Sequence, residues 1–259
     1  MSKILAITNQ KGGVGKTTTT VNLAASLAEA KQRVLLIDLD PQGNATMGSG
    51  IDKRDLQASV YDVLIARKTI AQARQTAGAG GYDVLPANRE LAGAEIELVD
   101  VFNREMRLRD ALQLVINEYD YVLIDCPPAL NLLTLNGLCA AKTVMIPMQC
   151  EYYALEGLSD LVNTIRKVRG GLNPVLEIEG LLRTMFDPRN ALAQQVSAQL
   201  EEHFGDKVYT TVIPRNIRLA EAPSYGVPVL MHDKSSRGAI AYLALAAEML
   251  NPKIKTVAN

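Results

Sequence analysis

Residues 10–18 read Gln-Lys-Gly-Gly-Val-Gly-Lys-Thr-Thr, between an apolar run at Ile4–Thr8 and a helical pattern over Thr17–Ala30. A strand, a glycine-rich bend and a helix in that order form a phosphate-binding loop of Walker A type, and such a unit commits a chain to an α/β layer structure. Gly12, Gly13 and Gly15 let the backbone curl so that several N–H groups converge on an anion, and with Val14 they make the cradle. The start of the following helix adds its positive dipole end. By motif position, Lys16 bridges the β- and γ-phosphates of a nucleotide, Thr17 ligates Mg²⁺ through its hydroxyl, and Thr18 contacts the α-phosphate. The pattern G-x-x-x-x-G-K-[ST] expects glycine at position 10, where this chain has Gln10, and a second lysine, Lys11, stands at the front of the loop. A cation there can reach a phosphate, including one held by a second subunit.

The rest of the chain repeats the strand–helix alternation. Apolar runs at Arg33–Asp38, Tyr82–Pro86, Tyr121–Asp125, Lys142–Pro147, Leu176–Met185 and Lys207–Ile213 are expected strands. Helical patterns are expected at Arg89–Val99, Arg104–Asn117, Leu155–Arg169, Ala191–His203 and Ser236–Leu250. Strands that are apolar nearly throughout are buried on both faces, as in a mostly parallel twisted sheet with helices on each side. The glycine-rich stretch Ala77–Gly81 reads as a surface loop, and no composition shift marks a linker. The expectation is one P-loop NTPase domain over residues 1–259, with a short polar tail from about residue 251 after Asn-Pro stops the last helix.

Net charge is −1, so any contact with nucleic acid has to come from a local patch rather than from the whole molecule. No apolar run approaches the roughly 18 residues of a membrane span, and the N-terminal strand is too short for a signal peptide. Cys126, Cys139 and Cys150 show no C-x-x-C spacing and read as reduced, buried thiols of a cytoplasmic protein.

Three carboxylates stand at strand ends. Asp38 and Asp40 lie in Ile-Asp-Leu-Asp-Pro-Gln-Gly-Asn, and Asp125 closes Tyr-Val-Leu-Ile-Asp. An aspartate after an apolar strand is the Walker B form, a direct or indirect Mg²⁺ ligand. In an open parallel sheet the strand C-termini converge on the ligand crevice, so the phosphate loop, Asp40 and Asp125 are expected to meet, with Thr17, Asp40 and Asp125 as the candidate metal set. Asp38 is either part of that set or a group that bonds backbone amides. Asp40, in a segment bounded by Pro and Gly, is the better candidate to orient an attacking water.

These residues resemble the ParA/MinD group of deviant-Walker ATPases, and within it the small chromosomal, Soj-type partition proteins. The resemblance rests on ITNQKGGVGKTTTTVNLAASLA at 7–28, VLLIDLDPQGNAT at 34–46, YVLIDCPPAL at 121–130, IPMQCEYYALEGL at 146–158 and TVIPRNIRLAEAPSYGVPV at 211–229. It implies ATP/ADP and Mg²⁺ as cofactors and an ATP-dependent homodimer. Lys11 corresponds to the signature lysine that reaches the partner's nucleotide, and Gly12 to the glycine that approaches its twin across the dimer. Lys16 and Thr17 correspond to the phosphate lysine and the magnesium ligand, Asp40 to the switch aspartate needed for hydrolysis, and Asp125 to the Walker B acid. Pro214 and Asn216 fall in the segment that lines the adenine. An asparagine amide can pair with an adenine edge; it can equally close the Pro-Arg-Asn turn.

The same resemblance implies non-specific double-stranded DNA and a ParB-type centromere-binding protein as partners, and a nucleoid-associated location. Arg189 and Arg218 correspond to arginines that contact DNA, with Lys234 and Arg237 as additions; they would neutralise phosphates without reading bases. A MinD-like, membrane-cycling ATPase is the alternative, and the short polar tail disfavours it. The loop starts so early that no DNA-reading domain is expected before it. An iron–sulfur ATPase would need a second cysteine in matching context to Cys126. A small-molecule kinase shares the loop but not the later segments.

Overall fold

The computed structural model describes residues 2–251. The expected polar tail therefore lies, from residue 252 on, outside the described residues. Seven strands form one sheet: β1 (Lys3–Ile7), β2 (Val34–Asp38), β3 (Gln75–Thr76), β4 (Asp83–Leu85), β5 (Tyr121–Asp125), β6 (Thr143–Met148) and β7 (Glu177–Arg183), in the spatial order β3-β4-β2-β5-β1-β6-β7. Neighbours are parallel except β3 and β4, a short antiparallel hairpin whose turn is the expected Ala77–Gly81 loop. β1, β2 and β5 are valine-, leucine- and isoleucine-rich, and β2 and β5 are buried along their full length.

Alternate residues of each strand feed two cores. Ile4, Ala6, Leu35, Ile37, Val122 and Ile124 face helices Leu132–Ala140, Ala154–Gly171 and Ala191–Phe204. Leu5, Ile7, Leu36, Leu123 and Met145 face helices Lys16–Glu29 and Arg237–Leu250. Helix Ala154–Gly171 buries Leu158, Leu161, Val162, Ile165 and Val168, a stripe at helical spacing. Helices Ala191–Phe204 and Arg237–Leu250 begin where Asn190 and Ser236 side chains accept first-turn N–H groups.

Register fixes the site. Ile7 pairs with Asp125 and Asp125 with Asp38, so the C-terminal ends of β1, β5 and β2 form one row. The phosphate loop leaves this row from β1, and the segment carrying Asp40 leaves it from β2.

Three elements expected from sequence need correction. Lys207–Ile213 is not a strand: it makes only an isolated bridge, Val208 to Leu181. The Tyr209 and Ile213 N–H groups still donate to the Leu181 and Arg183 carbonyls of β7 at 3.0 and 2.9 Å, but side chains take the backbone groups between them. The Thr210 and Thr211 N–H groups donate to the Glu248 carboxylate at 2.8 and 2.9 Å, and the Arg183 guanidinium donates to the Tyr209 and Thr210 carbonyls at 2.7 and 3.3 Å. The helices expected at Arg89–Val99 and Arg104–Asn117 break into 3₁₀ turns around short α segments, Ala94–Glu97 and Arg107–Leu112.

Helix Leu132–Ala140 was not expected from sequence. It is apolar on nearly all sides, so it shows no stripe. It packs so closely on β5 that a Cβ at Gly137 would stand 2.8 Å from Cys126 Sγ and 3.2 Å from Leu39 Cδ1. Both neighbours are buried and have little room to yield. Gly137→Ala is expected to cost about 1–3 kcal/mol through overpacking, read as a lower urea midpoint with an unchanged m-value. A midpoint equal to that of the parent would show that the helix has slack against the sheet.

Candidate functional site

The phosphate loop bends at two left-handed glycines, Gly13 (φ 73°) and Gly15 (φ 85°), where a Cβ would be strained. Between them Val14 is buried, and its carbonyl accepts from Thr184 Oγ1 at 2.8 Å. Gly15 caps helix Lys16–Glu29 and brings no side chain, so the first-turn N–H groups are left to an anion. The buried Lys16 ammonium folds back over the loop and donates to the Lys11 carbonyl at 3.1 Å. Burial lowers its pKa, and Asp125, Cys126 and Asp40 pull it back up.

Asp125 sits directly behind this loop. Its carboxylate accepts from Thr17 Oγ1 at 2.7 Å and from Thr20 Oγ1 at 3.1 Å. Asp125 and its sheet neighbour Asp38 are both buried, and burial pushes both carboxyls above the ordinary aspartate range, helped at Asp125 by the charge of Asp38 and at Asp38 by that of Asp40. A hydroxyl and a carboxylate side by side in this negative setting are hard oxygen ligands. They suit a Mg²⁺ that takes one or two protein oxygens and completes its shell with phosphate and water. The donor set therefore fits the implied nucleotide and metal.

Asp38 does what the second reading of the sequence allowed. Its Oδ1 accepts from the Asp40 N–H at 3.1 Å, and its Oδ2 from the Thr46 N–H and Oγ1, each at 2.8 Å. Thr46 Oγ1 accepts in turn from the Ala87 N–H at 2.9 Å, tying the loop after β2 to the end of β4. Asp40 is partly exposed; its Oδ1 accepts from the Gln42 N–H at 2.9 Å, and its carbonyl from the Gly43 N–H at 2.8 Å. Gly43 has φ 62°, and a Cβ there would stand 2.6 Å from the Ala87 carbonyl oxygen, which fixes this turn against β4. Asp40 is close enough to raise the pKa values of both Lys16 and Asp125.

Lys11 and Gly12 form the outer lip of the loop, and both are exposed. The Lys11 N–H donates to Asn9 Oδ1 at 3.0 Å, and its ammonium pairs with the Glu151 carboxylate at 2.5 Å. At Gly12 φ lies outside the left-handed region, and an added Cβ would meet nothing within 4 Å. Neither conformation nor space within this chain demands glycine there.

Beside the loop lies a cavity of about 170 Å³, lined by Gly15, Thr18, Thr184, Met185, Pro214 and Asn216 among others. Pro214 and Asn216 are thus brought next to the phosphate loop. Asn216 also serves its own turn: Oδ1 accepts from the Leu219 N–H at 3.3 Å and caps the short helix Ile217–Glu221. Sequence reasoning missed Thr184, Met185, Thr20 and Thr46. Thr184 and Met185 follow the end of β7, where the strand-end rule points. Met185 has φ 48°, an uncommon conformation for a side chain of its size.

The four candidate DNA-contacting cations surround the start of helix Arg237–Leu250. Arg189 makes a two-pronged pair with Asp187 (Nε 3.0 Å, Nη2 2.8 Å), which with nearby Arg237 holds that carboxyl down at about 2. Arg218 pairs with Glu221 at 2.7 Å and Asp233 at 3.4 Å, and Lys234 with Glu29 at 2.9 Å. These pairs are largely exposed and therefore exchangeable for phosphate. Among the described residues no helix is long and apolar enough to cross a membrane.

Residues 2–178 match the family described as AAA domain. The chain is 57% identical to the sporulation initiation inhibitor protein Soj of Bacillus subtilis, covering 96% of this chain and 98% of Soj. It is 52% identical to the chromosome partitioning protein ParA of Caulobacter vibrioides, over 96% of this chain and 94% of ParA. Among solved structures, the cobyrinic acid a,c-diamide synthase of Mycobacterium smegmatis with bound ADP and magnesium superposes with a TM-score of 0.85 at 39% identity, covering 98% of this chain and 96% of that one.

Proposed function

This chain belongs to the ParA/Soj family of chromosome-partitioning ATPases, and from that membership we propose a DNA-segregation cycle run by an ATP-dependent sandwich dimer. The observation that carries this reading is the outer lip of the phosphate loop. Lys11 and Gly12 are exposed, and nothing in their own chain explains a glycine at 12. A second copy laid against this lip supplies the reason: Gly12 leaves room for its twin, and Lys11 reaches the partner's nucleotide.

Within each chain the first-turn N–H groups and Lys16 hold the phosphates, Thr18 lies toward the α-phosphate, and Pro214 and Asn216 flank the base. Thr17 and Asp125, with Asp40 nearby, hold Mg²⁺, which when bound neutralises phosphate charge. Asp40 orients the water that attacks the terminal phosphate. Lys11 and Lys16 bracket the charge that develops on the transferred group. The product is ADP and phosphate; turnover is slow until a ParB-type partner orders the loop after β2.

Dimerisation doubles a weak cationic patch. Arg189, Arg218, Lys234 and Arg237 of two chains bind double-stranded DNA through its phosphates, which places the ATP form on the nucleoid in the cytoplasm. DNA binding measured by anisotropy with ATP, with ADP and without nucleotide tests the cycle. Retention is expected with ATP alone and should fall roughly ten-thousandfold between 50 and 200 mM salt, for about eight neutralised phosphates in a dimer. Equal binding in all three nucleotide states would overturn the reading, as would ATP-dependent sedimentation with liposomes in place of DNA.

A further inference from the structure

Lys11 is already occupied. Its ammonium lies 2.5 Å from Glu151 Oε2, a residue 140 positions away. Both backbones are held in place. The Lys11 N–H is bound by Asn9 Oδ1, and Asn9 Nδ2 donates to the Pro147 carbonyl at 2.8 Å. The Glu151 N–H donates to the Gln149 carbonyl at 3.0 Å, and its own carbonyl accepts from Ala154 at 2.9 Å, at the start of helix Ala154–Gly171. The pair therefore joins the loops that leave two neighbouring strands, β1 and β6. The side chains themselves are 49% and 52% exposed, so the pair can open without unpacking anything.

We propose that Glu151 is a positioning residue for Lys11: in the single chain it holds the ammonium on the chain's own surface, and the terminal phosphate of a nucleotide bound to a second copy has to displace it before the two-chain site closes. This rests on the reading that Lys11 acts across the dimer. One carboxylate carries a single negative charge spread over two oxygens. A triphosphate tail carries more charge and more acceptors within reach of the same ammonium, so it wins the exchange, and ADP, lacking the terminal group, wins it less readily. The contact thereby discourages association of chains without ATP. Its strength is that of an exposed ion pair, a factor of about 1.4 to 5 per chain. Two pairs open for each dimer, so the dimerisation equilibrium carries the square, about 2- to 25-fold.

The test uses the full chain with Glu151→Gln and Glu151→Ala, titrated with a non-hydrolysable ATP analogue and Mg²⁺ in the analytical ultracentrifuge. Both variants are expected to dimerise about 2- to 25-fold more tightly than the parent, with ADP affinity and melting temperature unchanged. A merely structural role would move those last two readouts, and such movement without tighter dimerisation overturns the proposal. So does dimerisation that is unchanged or weaker. Lys11→Ala runs beside them. If it dimerises as tightly as the parent, the cross-dimer reading of Lys11 fails; if it fails to dimerise while Glu151→Gln behaves as the parent, only the role of Glu151 fails.

Discussion

Replacing Asp40 with alanine is expected to lower ATP turnover by at least about a hundredfold while leaving an ATP-dependent dimer that still retains DNA. The magnitude is that of losing a group that positions or accepts a proton from the attacking water. The separation of effects follows from how the segment after β2 is held. Its shape rests on Asp38, which binds the backbone of residue 40 and both donor groups of Thr46, and on the Gly43 N–H bond to the residue 40 carbonyl. None of these uses the Asp40 side chain; that carboxylate gives up only its bond from the Gln42 N–H. The variant also removes a negative charge that acts on Lys16 and Asp125, so nucleotide affinity should hold or rise. Phosphate release measured with DNA and a ParB-type partner present is the check. Turnover at the parental rate would remove Asp40 from the chemistry.

Arg218→Glu is expected to weaken DNA retention at least roughly fiftyfold at 0.1 M salt, with ATP-dependent dimerisation intact. Each neutralised phosphate contributes roughly eightfold at that salt, because log K changes by about 0.9 log[salt] per contact. A dimer loses two such contacts, and the reversed charge adds repulsion. Arg218 already stands between Glu221 and Asp233, so the substitution leaves three carboxylates together where a phosphate should sit. The side chain is half-exposed on a short surface helix, so folding is not at stake. Glu221→Gln should act in the opposite direction, since it frees the arginine. Anisotropy with a labelled duplex reads both, and undiminished binding by Arg218→Glu would move the DNA surface elsewhere.

The parts of this molecule that were legible in sequence are those where one residue type answers one local demand. β1, β2, β5 and β6 are unbroken apolar runs, two of them ending in aspartate at a row fixed by register. The loop shows itself through glycines, two of which take positive φ. What stayed hidden depends on partners far along the chain. Lys207–Ile213 has strand composition, yet in its middle the Thr210 and Thr211 N–H groups go to Glu248 and the Tyr209 and Thr210 carbonyls to Arg183, side chains that composition alone assigns to solvent. Helix Leu132–Ala140 has no polar face to give it a period. The Lys11–Glu151 pair spans 140 residues with no motif to announce it. Asp38 stood open between metal ligand and backbone anchor, and only the position of Thr46 decides between them.

The sheet order bears on how the molecule is made. β1 is the first strand along the chain, but it sits between β5 and β6 and pairs Lys3 with Tyr121. The helix that follows the phosphate loop leans on helix Arg237–Leu250, where Thr19 Oγ1 and the Tyr242 hydroxyl lie 3.1 Å apart. At roughly 5–20 residues per second of synthesis, the nucleotide loop emerges within seconds and then waits about ten to fifty seconds for its last neighbours. For the first part of that interval, until β5 and then β6 are made, its apolar strand has no lateral partner. A chain released before Tyr242 is translated carries the whole phosphate motif without the helix that supports it, so its ATP binding is expected to fall below that of the full chain.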